Sequence, residues 1–381
     1  MKRTNILLLL LLVLLSFGYT KNHNGDEISK IYLIGNTLIR TTPGHDIRFY
    51  NIANPAAVAE LGKIEIEGNS DVAATGNYMY ADRQYDLLVY DISNPASPRI
   101  VDSVLKVFQY LNYYPVRDDR GGRDRVEDDD VGGLLGCGSI GCKDEDAPIS
   151  PGTQSSNLQT LDGADASGQG GSLARFMIVG DYLYCIDREQ IKVFDISDPA
   201  RPRYRNMVYV DRGIETIFHD GDHLFIGGQQ GMYIYSRDNP EEPVRVSEFT
   251  HRRSCDPVVV DGDRAYVTLR GGSPCGGFTD QLDIIDISNI KNPKLLKTVE
   301  MDGPYGLAAR NGTVLVCDGS SGLRTMKTGD LNNITQCALL DDLTAYDVIW
   351  YRDLLILTAE EGFFLYDASD PCNSRKYGQL F

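Results

Sequence analysis

An extended apolar run that ends in Asp and a Pro turn recurs seven times along this chain, and the spacing of the copies restricts its fold more than any other feature. The fullest copies read Leu88-Val-Tyr-Asp91-Ile-Ser-Asn-Pro95, Lys192-Val-Phe-Asp195-Ile-Ser-Asp-Pro199 and Asp283-Ile-Ile-Asp286-Ile-Ser-Asn289. Weaker copies end at Asn51, Ser236, Met326 and Asp367. Four of the six intervals are about forty residues and the other two are lengthened by insertions. A period of that size is the mark of a repeat architecture.

A second marker keeps step with the first. About ten residues before each phrase stands a tight-turn dipeptide between alternating apolar residues, the signature of a two-residue hairpin. The dipeptides are Gly35-Asn36, Gly76-Asn77, Gly180-Asp181, Gly221-Asp222, Gly262-Asp263 and Asn311-Gly312, and only the seventh, Arg352-Asp353, departs from type. The flanking segments, such as Asn77-Tyr-Met-Tyr80, alternate with a period of two, which is the period of strands and not of helices. Each unit therefore resolves into four short strands: one ending at the dipeptide, a second after it, a third carrying the phrase and a fourth after the Pro turn. Seven such units arranged radially make an all-β, seven-bladed β-propeller of four-stranded antiparallel blades. Asp91, Asp195, Asp286 and Asp367 read as architectural, each accepting hydrogen bonds from the amides of the bend that follows, because one acid per repeat is the demand of a turn and not of an active site.

The phrase and its spacing resemble the LVIVD-repeat β-propellers of bacterial and archaeal cell-surface proteins. The resemblance extends from Ile28 to Phe381 apart from one insertion, with the copy between Gly322 and Leu340 lacking both Asp and Pro. It implies the propeller fold and an envelope location, and it carries no established activity, so it assigns no catalytic residue.

The amino terminus has a basic start, Met1-Lys-Arg, and an apolar core of about a dozen residues to Leu15, too short to span a bilayer comfortably. It reads as a signal peptide over residues 1–18, cleaved near Gly18, which leaves 19–381 as an exported propeller with no membrane span, periplasmic or at the cell surface. The net charge of -17 argues against nucleic acid, whose binding needs Lys and Arg against phosphates, and against anionic lipid. Export makes disulfides possible. Of eight Cys, Cys255 and Cys275 are expected to pair, on one face of the fifth unit. Cys185 and Cys317 are expected to be buried thiols, and the pairing of Cys137, Cys142, Cys337 and Cys372 stays open.

Two insertions fall on one face, where links from a fourth strand to the next first strand and links from second to third strand both emerge. The longer, at about 109–173, is rich in Asp, Gly, Ser and Gln, and that composition predicts disorder. Its acidic runs lack the alternating ligands and fixed Gly of a Ca²⁺ loop, so they read as solvated charge. The shorter insertion is Gly271 to Gly277. Loops on a rigid scaffold are where binding residues collect, and the residues on this face include Arg83, Tyr85, Arg188, Arg212, Glu215, Arg252, Arg253, Arg270, Tyr305 and Tyr346. Guanidinium groups grip carboxylates or sulfates in paired hydrogen bonds, and Tyr rings offer flat apolar contact to sugar or peptide. No HExxH, GxSxG or P-loop motif occurs, and His219-Asp-Gly-Asp-His223 spans a turn instead of one helical face. His251 beside Cys255 is the one nucleophile-like pairing, and a disulfide at Cys255 would remove its thiolate. The expectation is a non-catalytic binding or scaffold module without metal or cofactor, whose partner is an envelope protein or an anionic glycan. The alternatives are an acidic-glycan lyase or hydrolase using Glu215, Arg212, Arg252 and Tyr305 at the central funnel, and a purely structural envelope component.

Overall fold

A computed structural model describes residues 28–108, 168–251, 257–271 and 279–380. The proposed signal peptide, Arg252, Arg253, the Cys255–Cys275 pair and residues 109–167 lie outside the described residues. The described chain is the expected seven-bladed propeller, each blade an antiparallel sheet of four consecutive strands. The innermost strands are Lys30–Ile34, Val72–Thr75, Phe176–Val179, Ile214–Asp220, Val258–Asp261, Leu307–Arg310 and Ala345–Tyr351, belonging to blades 1 to 7 in chain order.

The alternating side chains of each blade are buried against the next blade, as the two-residue period requires. Ile39, Phe49, Met79 and Val89 pack in one cluster between blades 1 and 2, and Leu315, Cys317, Leu355 and Leu357 in another between blades 6 and 7. Blade 7 closes the ring on blade 1 by side-chain packing, with Ile349, Ile356 and Phe363 against Ile31, Leu38 and Tyr50. Cys337 and Cys372 form a disulfide with a Cα–Cα separation of 5.2 Å, which ties the outermost strand of blade 6, Thr335–Leu340, to the Pro turn of blade 7. Cys185 and Cys317 are buried free thiols, as expected.

One face of the ring is built the same way in all seven blades. Here the hairpin turn between first and second strands meets the turn between third and fourth. An amide of the second turn bonds a carbonyl of the first, from Ile52 N to Asn36 O in blade 1, Ile196 N to Asp181 O in blade 3 and Ala368 N to Asp353 O in blade 7. The repeated Asp does what its position predicts: Asp91, Asp195, Asp286 and Asp367 each accept the amide of Ser93, Ser197, Ser288 and Ser369, at 2.8 to 3.0 Å. Blade 6, without Asp or Pro, substitutes Thr328, whose amide bonds Gly312 O and whose hydroxyl meets Tyr266 of blade 5 at 2.8 Å. The seventh hairpin keeps the required backbone although its first residue is Arg352, at φ 52°.

The opposite face differs from expectation at the end of the long insertion. Residues 168–173, assigned from composition to a disordered loop, instead climb the axis of the ring. Gln169–Gly170 pairs antiparallel with the innermost strand of blade 1, and Tyr32 donates its hydroxyl to the Gly168 carbonyl at 3.0 Å. Gly168 N bonds Ala74 O in blade 2, and Ile217 N of blade 4 bonds Ala174 O, both at 3.0 Å. Leu307 N of blade 6 donates to Ser172 Oγ at 2.8 Å, and that hydroxyl donates to Asp347 of blade 7 at 3.0 Å. Low complexity misled here because small residues are what a narrow axis admits: a side chain at Gly171 would collide with the Asp347 carboxylate.

Candidate functional site at the mouth of the axial channel

The axial segment surfaces at the face that carries the insertions, and two polar clusters flank it. On the blade 7 side, the Asp347 carboxylate is enclosed between Gly171 and Gly306. It accepts Ser172 N at 3.2 Å, Ser172 Oγ at 3.0 Å and Val348 N at 3.0 Å, with Leu173 N at 3.5 Å. Burial pushes its pKa up to about 6 despite these donors. This cluster is buried, and its role is to lock the segment in place.

On the blade 2 side, Asp82 holds a loop by accepting Ser70 Oγ at 2.7 Å and the amides of Ser70 and Asp71 at 2.9 Å each. Asp71, placed by that loop, takes Lys30 Nζ at 3.2 Å and the Arg175 backbone amide. Burial raises the Asp82 pKa and lowers that of Lys30. The network therefore fixes the point where the axial segment ends and blade 3 begins, which is Arg175.

Between blades 3 and 4 the mouth opens into a cavity of about 330 Å³ lined by Arg175, Arg188, Gly213, Ile214 and Glu215. Arg188 stands in the turn between Tyr182–Asp187 and Gln190–Asp195, with φ 57°. Gly213, at φ 72°, lacks a side chain that would press on Gln229. Gln229 Nε2 donates to Glu215 Oε1 at 3.1 Å. Burial raises the Glu215 pKa, with Gln229, Arg175, Arg270 and Lys30 acting against it, so cations from blades 1, 3 and 5 all act at this carboxylate. Beyond it, Arg270 lies over the Tyr305 ring at 3.9 Å, and Tyr305 meets Tyr346 edge-on at 5.1 Å.

The residues singled out from sequence separate into two groups. Arg188 and Glu215 share the cavity, and Arg270, Tyr305 and Tyr346 form one stack. Arg83 sits on the outer rim and pairs with Asp86 at 3.2 Å. Tyr85 is 42% exposed there. Arg212 is 86% exposed, 3.9 Å from Glu189, and so does not enter the funnel that the glycan-enzyme alternative requires. Glu215 is the single carboxylate among the residues lining this cavity, whereas glycoside hydrolysis ordinarily uses two. Cys185 and Cys317, their pKa values pushed up by burial, are unsuited to nucleophilic work. Arg175, Lys30, Asp71, Ser172 and Asp347 were missed from sequence. Arg175 alone carried a signal, as the one cation directly before an innermost strand.

Comparison with known proteins agrees with the architecture. Residues 68–106, 170–208 and 252–300 match the LVIVD repeat. No curated protein matches the chain. Among solved structures, a functionally unknown protein from Desulfotomaculum acetoxidans is similar at 10% identity over 93% of this chain and 95% of its own, with a TM-score of 0.55. A protein from Lactobacillus plantarum is similar at 12% identity over 79% of this chain and 80% of its own, with a TM-score of 0.51. BamB from Moraxella catarrhalis is similar at 9% identity over 85% of this chain and 78% of its own, with a TM-score of 0.50. At such identities the likeness is one of fold alone.

Proposed function

We infer, from the premise that this chain is an LVIVD-repeat β-propeller, that it works as an exported, non-catalytic binding or scaffold module. Its ligand is an anionic glycan or an envelope protein, met at the mouth of the axis. One observation carries the reading: the far face repeats one turn–turn bond in every blade, whereas the mouth gathers side chains that change from blade to blade, with Arg175, Arg188 and Glu215 around a cavity and Arg270, at the position in blade 5 that Arg188 holds in blade 3, over Tyr305. Repetition serves the fold, and what departs from it on a rigid frame is available for recognition. The Cys337–Cys372 disulfide supports an oxidising compartment and therefore export.

The test is capture of fluorescently labelled protein on an array of acidic and neutral glycans, together with chemical cross-linking in envelope extract. Wild type is compared with the mouth double variant Arg188→Ala/Arg270→Ala, which removes a cavity guanidinium and the one over Tyr305, and with the far-face variant Asp181→Arg. Capture that weakens with the mouth variant and persists with the far-face variant supports the reading. Capture insensitive to the mouth variant, or no capture in either assay, overturns it.

A further inference from the structure

We propose that the cavity between blades 3 and 4 is a binding site for a sugar acid, a hexuronic acid residue held through its carboxylate and its ring hydroxyls. The proposal rests on the reading of the mouth as a binding face and specifies what chemistry the mouth selects.

The lining groups divide the work that such a ligand demands. Arg175 and Arg188 reach the cavity from two parts of blade 3, one before the innermost strand and one from the turn after the second. Two guanidinium groups bordering one small space are suited to a carboxylate, which they grip with paired, charge-assisted hydrogen bonds. Glu215 enters from blade 4 with Gln229 bonded to it at 3.1 Å. A carboxyl and an amide side by side offer acceptors and donors to adjacent hydroxyls. Ile214, itself buried in the core between blades 3 and 4, is the one aliphatic residue among those lining the cavity. A volume of about 330 Å³ lies at the small end of ligand cavities, the size for one sugar ring.

Glu215 also selects among anions. Sulfate or phosphate would bring negative charge against the Glu215 carboxylate and offer it no sugar hydroxyl, whereas a uronic acid presents its charge at one end and its hydroxyls at the other. A peptide carboxyl terminus would engage the two Arg and offer Glu215 and Gln229 no ring hydroxyl. The Arg175 position is held from below, because its backbone amide donates to Asp71 and its Nη2 reaches Ile186 O at 3.5 Å. Half of the anion grip is thus built into the fold before any ligand arrives, which lowers the ordering cost of binding.

The experiment is isothermal titration of the full exported chain with digalacturonate, galactobiose and inorganic sulfate. Variants are Arg188→Ala, Arg188→Lys and Glu215→Ala, each checked by thermal melting. Digalacturonate is expected to bind at least about tenfold more tightly than galactobiose. Arg188→Ala should weaken it about tenfold, Arg188→Lys less, and Glu215→Ala should narrow the preference for digalacturonate over sulfate. Equal binding of digalacturonate and galactobiose, sulfate competing as well as digalacturonate, or Arg188→Ala without effect while melting normally would each overturn the sugar-acid assignment. If the array shows capture of an anionic glycan without uronic acid, or cross-linking shows a protein at the mouth, while digalacturonate fails, this proposal falls and the binding-face reading stands. If nothing binds at the mouth, both fall.

Discussion

The two faces of this ring solve the same problem, how to end a blade, in opposite ways. On the far face, seven turns are tied by the same backbone bond, and four of them by the same Asp accepting the same Ser amide. At the mouth, one segment is bonded to five blades through contacts that occur once each. Loss of one far-face turn leaves six others intact, whereas the mouth has no second Asp347. Redundancy makes the far face tolerant and legible, and singularity makes the mouth both vulnerable and specific.

The sharpest break of that contrast is Asp347→Ala. Ser172 N, Ser172 Oγ and Leu173 N lose their acceptor inside a closed space, and each buried orphan costs about 1–3 kcal/mol. A loss of about 4 kcal/mol in denaturant unfolding is expected, with increased proteolysis near residues 168–173. A cost under about 1 kcal/mol would mean that the axial segment is not held by Asp347. Next comes a covalent tie on the far-face side, the Cys337–Cys372 disulfide, which closes a separation of 35 residues. The double Ser variant should lose about 3 kcal/mol. If its loss costs more than that of Asp347, the rigidity of blades 6 and 7 comes from the rim and not from the axis.

The same division decided what could be read from the sequence. Blade number, strand order, turn positions and the role of Asp195 were legible because each is stated several times, and a period of about forty residues averages out the weak copies. Even the blade that lacks Asp and Pro was placed correctly by its neighbours. The mouth was legible only in part: Arg188 and Glu215 could be assigned to a face by topology, but their meeting with Arg175 depends on a segment of Gly and Ser whose composition says disorder. Short residues are ambiguous in this way. They suit a loop in water and equally a crossing of a narrow axis, and only the positions of Asp347, Gly306 and Tyr32 decide between the two.

Acid titration separates the faces by sign. Asp195 on the far face is held down to about 2, first by the Ser197 backbone amide and then by Arg205. A depressed carboxylate contributes stability that is present above its unfolded value of 3.8 and is lost as pH falls from about 4 towards 2. Asp347 is pushed up to about 6 by burial, so its ionisation opposes folding and stability falls as pH rises from about 4 to 6. Asp195→Asn should flatten the acid limb alone, and Asp347→Asn the limb between pH 4 and 6 alone. A wild-type curve in which both substitutions flatten the same limb would erase the distinction between the faces.

The smallest expected effect is the most specific to the mouth. Arg212 is 86% exposed and lies 3.9 Å from Glu189, and a surface pair of that kind contributes little to stability. Arg212→Ala should therefore melt within about 1 °C of wild type. Its charge nevertheless stands at the rim of the cavity in a protein of net charge -17, where an incoming anion meets general repulsion and local attraction is needed to approach. Rim charges act on association rates more than on dissociation. Digalacturonate should bind Arg212→Ala about twofold more slowly in dilute buffer, and the difference should disappear at about 1 M salt, where the screening length shrinks to about 3 Å. A change in dissociation rate instead would place Arg212 in contact with the ligand and move the edge of the site outward from the cavity to the rim.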